Sequence, residues 1–108
     1  MSYTLRGNVY RDDSNAPVPA FDYVNITGTA TTVVKATPGF LHAITFNNPV
    51  ATSVVTLYDN SAASGTKIGT ITVPASPQPL TLFYDIATST GLTVVTATAS
   101  SDITISYI

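Results

Sequence analysis

At 108 residues the chain has the length of one domain, enough to bury about two-thirds of its unfolded surface without staples. It has no cysteine, only 9% charged residues and a net charge of −2, with Arg6, Arg11, Lys35 and Lys67 as its cations. That excludes a disulfide framework and a cysteine zinc site, and four scattered cations argue against nucleic-acid binding. No apolar run approaches the roughly 18 residues of a membrane span. Met1–Arg6 lacks the apolar centre of a signal peptide, so synthesis in a cytoplasm without export is expected. A surface so poor in charge and so rich in Thr, Ser, Val and Ala repels its neighbours weakly, which favours life in an assembly.

Taken in order, Tyr3–Tyr10 alternates loosely and reads as a first strand weakened by Gly7. Arg11–Asp22 has no period, carries Pro17 and Pro19, and reads as an extended arm or long loop. Val24–Thr27 is a short strand ending at Gly28, and Thr29–Ala36 is strand-like. Thr37-Pro38-Gly39 has the chemistry of a type II turn, with Gly39 at the position that needs positive φ. Phe40–Phe46 follows, with Phe40, His42, Ile44 and Phe46 on one face and Leu41, Ala43 and Thr45 on the other. The clearest unit is Val54–Val73. Val55 and Leu57 alternate with Val54, Thr56 and Tyr58, a turn rich in Asp, Asn, Ser and Gly65 intervenes, and a strand resumes after Lys67. There Ile68, Thr70 and Thr72 share one face and Gly69, Ile71 and Val73 the other.

Pro74, Pro77 and Pro79 mark a crossing that no central strand tolerates. Leu80–Ile86 sets Leu80, Leu82, Tyr84 and Ile86 on one face. Thr88–Gly91 turns, Leu92–Ala99 is a strand, and Ile103, Ile105 and Tyr107 face inward from the last one. No segment has a helical period. About eight strands at this spacing predict an all-β, antiparallel β-sandwich, jelly-roll-like, with an extended N-terminal arm. An immunoglobulin-like sandwich is the alternative, without its Cys and Trp markers. The expected division is 1–23 for the arm or first strand plus loop, and 24–108 for the sandwich.

The sequence offers little for catalysis, and no enzyme activity and no cofactor are expected. The lone histidine, His42, reads as a buried or interface residue between Phe40 and Ile44. One histidine and no Glu do not make a cupin-type metal site. Asp59, Asp85 and Asp102 sit at strand ends or outward positions, with nothing to show that two converge. Asp12, Asp13, Asn15, Asp59 and Asn60 carry hard oxygen ligands for calcium, but such residues in turns usually serve the backbone. Tyr10, Tyr23, Tyr58 or Tyr84 could act as a stacking platform for a sugar, or equally as residues at the edge of the core.

From Gly39 onward the chain resembles small virion proteins of tailed bacteriophages. The residues that carry the resemblance are Gly39-Phe40-Leu41, Leu57-Tyr58-Asp59-Asn60 leading to Ser64-Gly65-Thr66, Gly91-Leu92, and the terminal Asp102-Ile103-Thr104-Ile105-Ser106-Tyr107. The resemblance implies a jelly-roll capsid cement or decoration subunit, commonly trimeric, seated on the outer capsid of the virion and bound to the major capsid protein. The alternative is a glycan- or receptor-binding module of a phage fibre or tail. On the first reading the expected contact residues are Tyr3, Leu5, Tyr10, Arg11, Pro17, Pro19 and Phe21, with Asp59 and Asn60. The N-terminal segment is included because it has apolar residues and no evident place in its own core.

Overall fold

The computed structural model of the chain describes residues 21–108 in full; within residues 1–20 it describes only the backbone of three short strands. These are β1 (Thr4–Arg6), β2 (Val9–Arg11) and β3 (Pro17–Val18), paired antiparallel in the order β1-β2-β3. A single strand over Tyr3–Tyr10 is therefore corrected: the chain reverses between Arg6 and Val9, which stand opposite each other. Gly7, expected inside that strand, lies outside the described residues. The expected arm over Arg11–Asp22 also contains β3. Its ends fall in β2 (Arg11) and β4 (Asp22), while residues 12–16, 19 and 20 lie outside the described residues, as do the side chains of Tyr3, Leu5, Tyr10, Arg11, Pro17 and Pro19.

Eight further strands build the sandwich: β4 (Asp22–Ile26), β5 (Ala30–Lys35), β6 (Gly39–Asn48), β7 (Val54–Asp59), β8 (Thr66–Thr72), β9 (Leu80–Thr88), β10 (Leu92–Ala97) and β11 (Asp102–Tyr107). They form two four-stranded antiparallel sheets, ordered β5-β10-β7-β8 and β4-β11-β6-β9. The described residues contain no helix. The pairing is nested about the β7–β8 hairpin: β6 pairs with β9, β5 with β10 and β4 with β11. One long hairpin folded over on itself gives this order, which is the jelly-roll arrangement.

Alternation fills the space between the sheets. Val55 and Leu57 of β7, Val94 of β10, and Ile103 and Ile105 of β11 are buried, with Leu41, Ile44 and Phe46 of β6. Each fully buried Leu or Ile contributes about 1.5–3 kcal/mol. Gly69 faces Leu57 across the β7–β8 pair, and its missing side chain leaves room for the Tyr84 hydroxyl, which stands 3.2 Å from where a Cβ would be.

Bulges correct two of the expected faces. Leu41 and Ile44 both point into the core, three residues apart. Between the same two rows β11 advances only from Ile105 to Tyr107, while β9 advances from Leu82 to Ile86. Each strand from β11 through β6 to β9 thus carries one residue more than its neighbour. Stacked bulges of this kind splay and twist a sheet locally. They turn His42 away from the core that Ile44 and Phe46 share. Asp85 absorbs part of the excess with a left-handed φ of 51°. On β8 a register shift opposite Leu57 and Tyr58 likewise brings Ile68 against the core, together with Ile71.

The turn glycines divide by role. Gly65 takes a φ of 82°, as its turn requires. Gly39 does not adopt a left-handed φ, so the type II turn is corrected; a side chain there would collide with the Ile108 carbonyl and the Lys35 side chain. Phe40 and Ile108 exchange backbone hydrogen bonds at that point, N···O 2.8 and 2.9 Å. Close approach, not torsion, is what needs glycine. At the opposite end, the Ser53 and Ser101 hydroxyls meet at 2.7 Å and the Val50 N–H donates to Ser101 Oγ. Ile103→Asp places an unpaired charge at the fully buried centre of β11. It is expected to lower the unfolding free energy by about 3–5 kcal/mol, read by urea denaturation. An unchanged midpoint would mean that the inward face is wrongly placed.

Candidate interaction surface

The outer face of the β4-β11-β6-β9 sheet collects the uncommitted chemistry. Register places Tyr23, Ser106, Ala43 and Phe83 in one row across it. Tyr23 and Phe83, at the two edges, are 74% and 67% exposed. Strands lie about 4.8 Å apart, so the two rings are rooted about 14 Å from one another. Beside this row the bulge projects His42. Its Nδ1–H donates to Asp85 Oδ1 at 2.6 Å, the carboxylate being acceptor only. Phe21 stacks flat on the imidazole, centroids 4.1 Å apart, and Phe83 meets it edge-on at 5.4 Å. Ala43 stands on the outward face yet is only 2% exposed.

A polar network adjoins the aromatic row. Asn25 Nδ2 donates to Asp102 Oδ1 (2.6 Å) and to the Ile103 carbonyl (2.9 Å). Asn47 Nδ2 donates to the same Asp102 oxygen (3.1 Å) and to Thr104 Oγ1 (2.9 Å). Asp102 lies opposite Asn48 and Ile103 opposite Phe46, so Asn47 is the extra residue of a bulge that aims it at Asp102. The Thr45 and Thr81 hydroxyls pair at 3.0 Å in the neighbouring row. At the exposed β8–β9 edge the two sheets part over an apolar slot of about 180 Å³, lined by Phe46, Ile71, Val73, Pro74, Leu80 and Leu82.

The expected contact residues separate. Phe21 belongs to the outer-face ring cluster. Asp59 and Asn60 serve their own fold: Asp59 Oδ2 accepts the Ser89 N–H (2.9 Å), and Oδ1 accepts those of Thr90 (2.9 Å) and Gly91 (3.3 Å). The Asn60 side chain bonds Ser61 and Ser64, and its carbonyl accepts the Thr93 hydroxyl. Of the tyrosines singled out, Tyr84 packs against the core, Tyr58 is half-buried, and Tyr23 stands clear of both. Sequence reasoning did not single out Phe83, Asn25 or Asn47. For Phe83 the signal was the parity of Leu82 and Tyr84; for the asparagines it was a residue type that strands disfavour, placed within strands.

Comparison with protein-family models, with curated proteins and with solved structures finds no match for this chain.

The three N–H donors, that of Ser89 foremost, hold the Asp59 carboxyl below its ordinary value of 3.8. The folded state therefore favours the ionised form. Its stabilisation is complete above the unfolded value and fades as pH falls through the lowered folded one. Asp59→Asn is expected to melt below wild type at neutral pH, and the gap is expected to close in strong acid. A gap independent of pH would show that the carboxylate charge contributes nothing.

Proposed function

We propose that this chain is a structural, non-enzymatic virion subunit: a capsid cement or decoration protein of a tailed bacteriophage, bound to neighbouring major capsid proteins on the outer shell. The observation that carries this reading is the Phe83–His42–Phe21 ring cluster, displayed on the outer face of the sheet and left open to solvent on the Phe83 side. Exposed aromatics grouped on a rigid face are the usual anchors of a protein–protein interface. Leu80, on the same edge strand and 44% exposed, extends the apolar area toward the slot. Sparse charge lowers the desolvation cost of close packing around such anchors. The jelly-roll fold agrees with the resemblance to small phage virion proteins.

On this reading the mechanism is additive. Each copy buries about 1,000–2,000 Å² against the shell, and many copies share the load. The subunit is a homotrimer, with the segment before Phe21 assigned to contacts between copies. The reading is tested by co-sedimenting the purified full-length protein with undecorated heads of the phage that encodes it, and by its mass in solution. Decoration of the heads and a trimer mass are expected. Phe83→Ser, an exposed change that spares the core, is expected to weaken decoration at least tenfold. Heads that stay bare, or a Phe83→Ser protein that decorates like wild type, would contradict the reading.

A further inference from the structure

We propose that the outward face around Tyr23 is a binding site for a neutral glycan, formed by Tyr23, Asn25, Asp102, Asn47 and Thr104. This inference does not depend on the virion reading, and it uses the β4 edge of the outer face, across the sheet from Phe83 on the β9 edge.

The argument starts from donor and acceptor counts. A side-chain amide has two N–H donors and one carbonyl acceptor. Asn25 has both donors engaged, on Asp102 and Ile103, and Asn47 has both engaged, on Asp102 and Thr104. What each amide can still offer a ligand is its carbonyl oxygen. Asp102 is acceptor only, and its Oδ1 already takes both amides, so Oδ2 is the oxygen it presents. Three strands, β4, β11 and β6, thus gather three acceptor-bearing side chains around Asp102 Oδ1, which both amides reach. Thr104 Oγ1 accepts from Asn47, so its own O–H can donate. The internal bonds fix these groups before any ligand arrives, which lowers the entropy cost of binding.

Such a cluster calls for a ligand with several adjacent donors. Tyr23 supplies the second requirement. It lies two residues from Asn25 on the same face of β4, about 6.7 Å along the strand, and its ring is largely uncovered. A pyranose meets both needs: vicinal hydroxyls that donate, and an apolar C–H face that packs on an aromatic ring. A cationic side chain would also find acceptors here. However, the single carboxylate is already answered by two amides, and the neighbouring Thr45 and Thr81 are neutral hydroxyls that suit a polyol better.

The test titrates the full-length protein with soluble oligomers of glucose, mannose, galactose and N-acetylglucosamine at millimolar concentration, followed by amide chemical shifts. At least one oligomer is expected to shift the amides of Tyr23, Asn25 and Thr104. Tyr23→Ala and Asp102→Asn are each expected to weaken that binding roughly tenfold or more, while Tyr23→Phe, which keeps the ring, retains most of it. Tyr23 is exposed, so its variant keeps the fold, and an unchanged amide spectrum elsewhere checks this. The proposal is overturned if no oligomer binds, if binding survives both Tyr23→Ala and Asp102→Asn, or if the face binds an arginine-rich peptide and no sugar.

Discussion

Nested antiparallel pairing about one hairpin is the constraint on which the rest of this structure depends. The β7–β8 hairpin fixes the register of the innermost pair, and each outer pair must then follow: β6 with β9, β5 with β10, β4 with β11. Every strand has its neighbours chosen by this folding-over, so the core faces of all eight are set together. The Asp59 carboxylate secures the tip by gathering the N–H groups of Ser89, Thr90 and Gly91 from the β9–β10 turn. Gly91 is tight against the Lys35 and Asn60 carbonyls, which a Cβ would approach to 2.7 and 3.1 Å. Three chain segments therefore converge at one end, and small residues with backbone-directed hydrogen bonds are what fit there.

The same pairing creates the candidate interaction face. A register excess of one residue per strand from β11 through β6 to β9 cannot be absorbed in the core, where Leu41, Ile44, Leu82 and Ile86 must stay in line. It is absorbed outward. His42 and Asp85 are the residues put out by it, and they pair with each other between the rings of Phe21 and Phe83. A second bulge at Asn47 builds the polar side of the face in the same way. Local departures from regular pairing, rather than loops, place the chemistry on a rigid support.

The fold was largely legible in the sequence. Val55 and Leu57, then Ile103 and Ile105, alternate so cleanly that their inward faces could be read directly, and the hairpin turn was marked by Asp59-Asn60 and Gly65. What escaped reading was parity across bulges. His42 sits between Phe40 and Ile44 at strand period, and nothing local says that the period breaks there; the break is imposed by Ser106 and Phe83 in strands far along the chain. Gly39 misled for a related reason. Its neighbour Pro38 suggested a torsional role, whereas the need is steric and comes from Ile108, at the far end of the sequence. The surface was legible only in part: Tyr23 could be singled out as a possible platform, but the amides that flank it become partners only once β4, β11 and β6 lie side by side.

The central claim is that the β4-β11-β6-β9 sheet is the working face of the molecule, and the β5-β10-β7-β8 sheet its support. Amide hydrogen exchange on the protein free and bound to undecorated heads tests this most directly. The edge strand β9, with one side unpaired, exchanges readily when free. The account predicts slowed exchange over residues 80–86 in the bound protein and unchanged exchange over residues 66–72 of β8. Slowing confined to β8 and β5, with β9 unaffected, would contradict it.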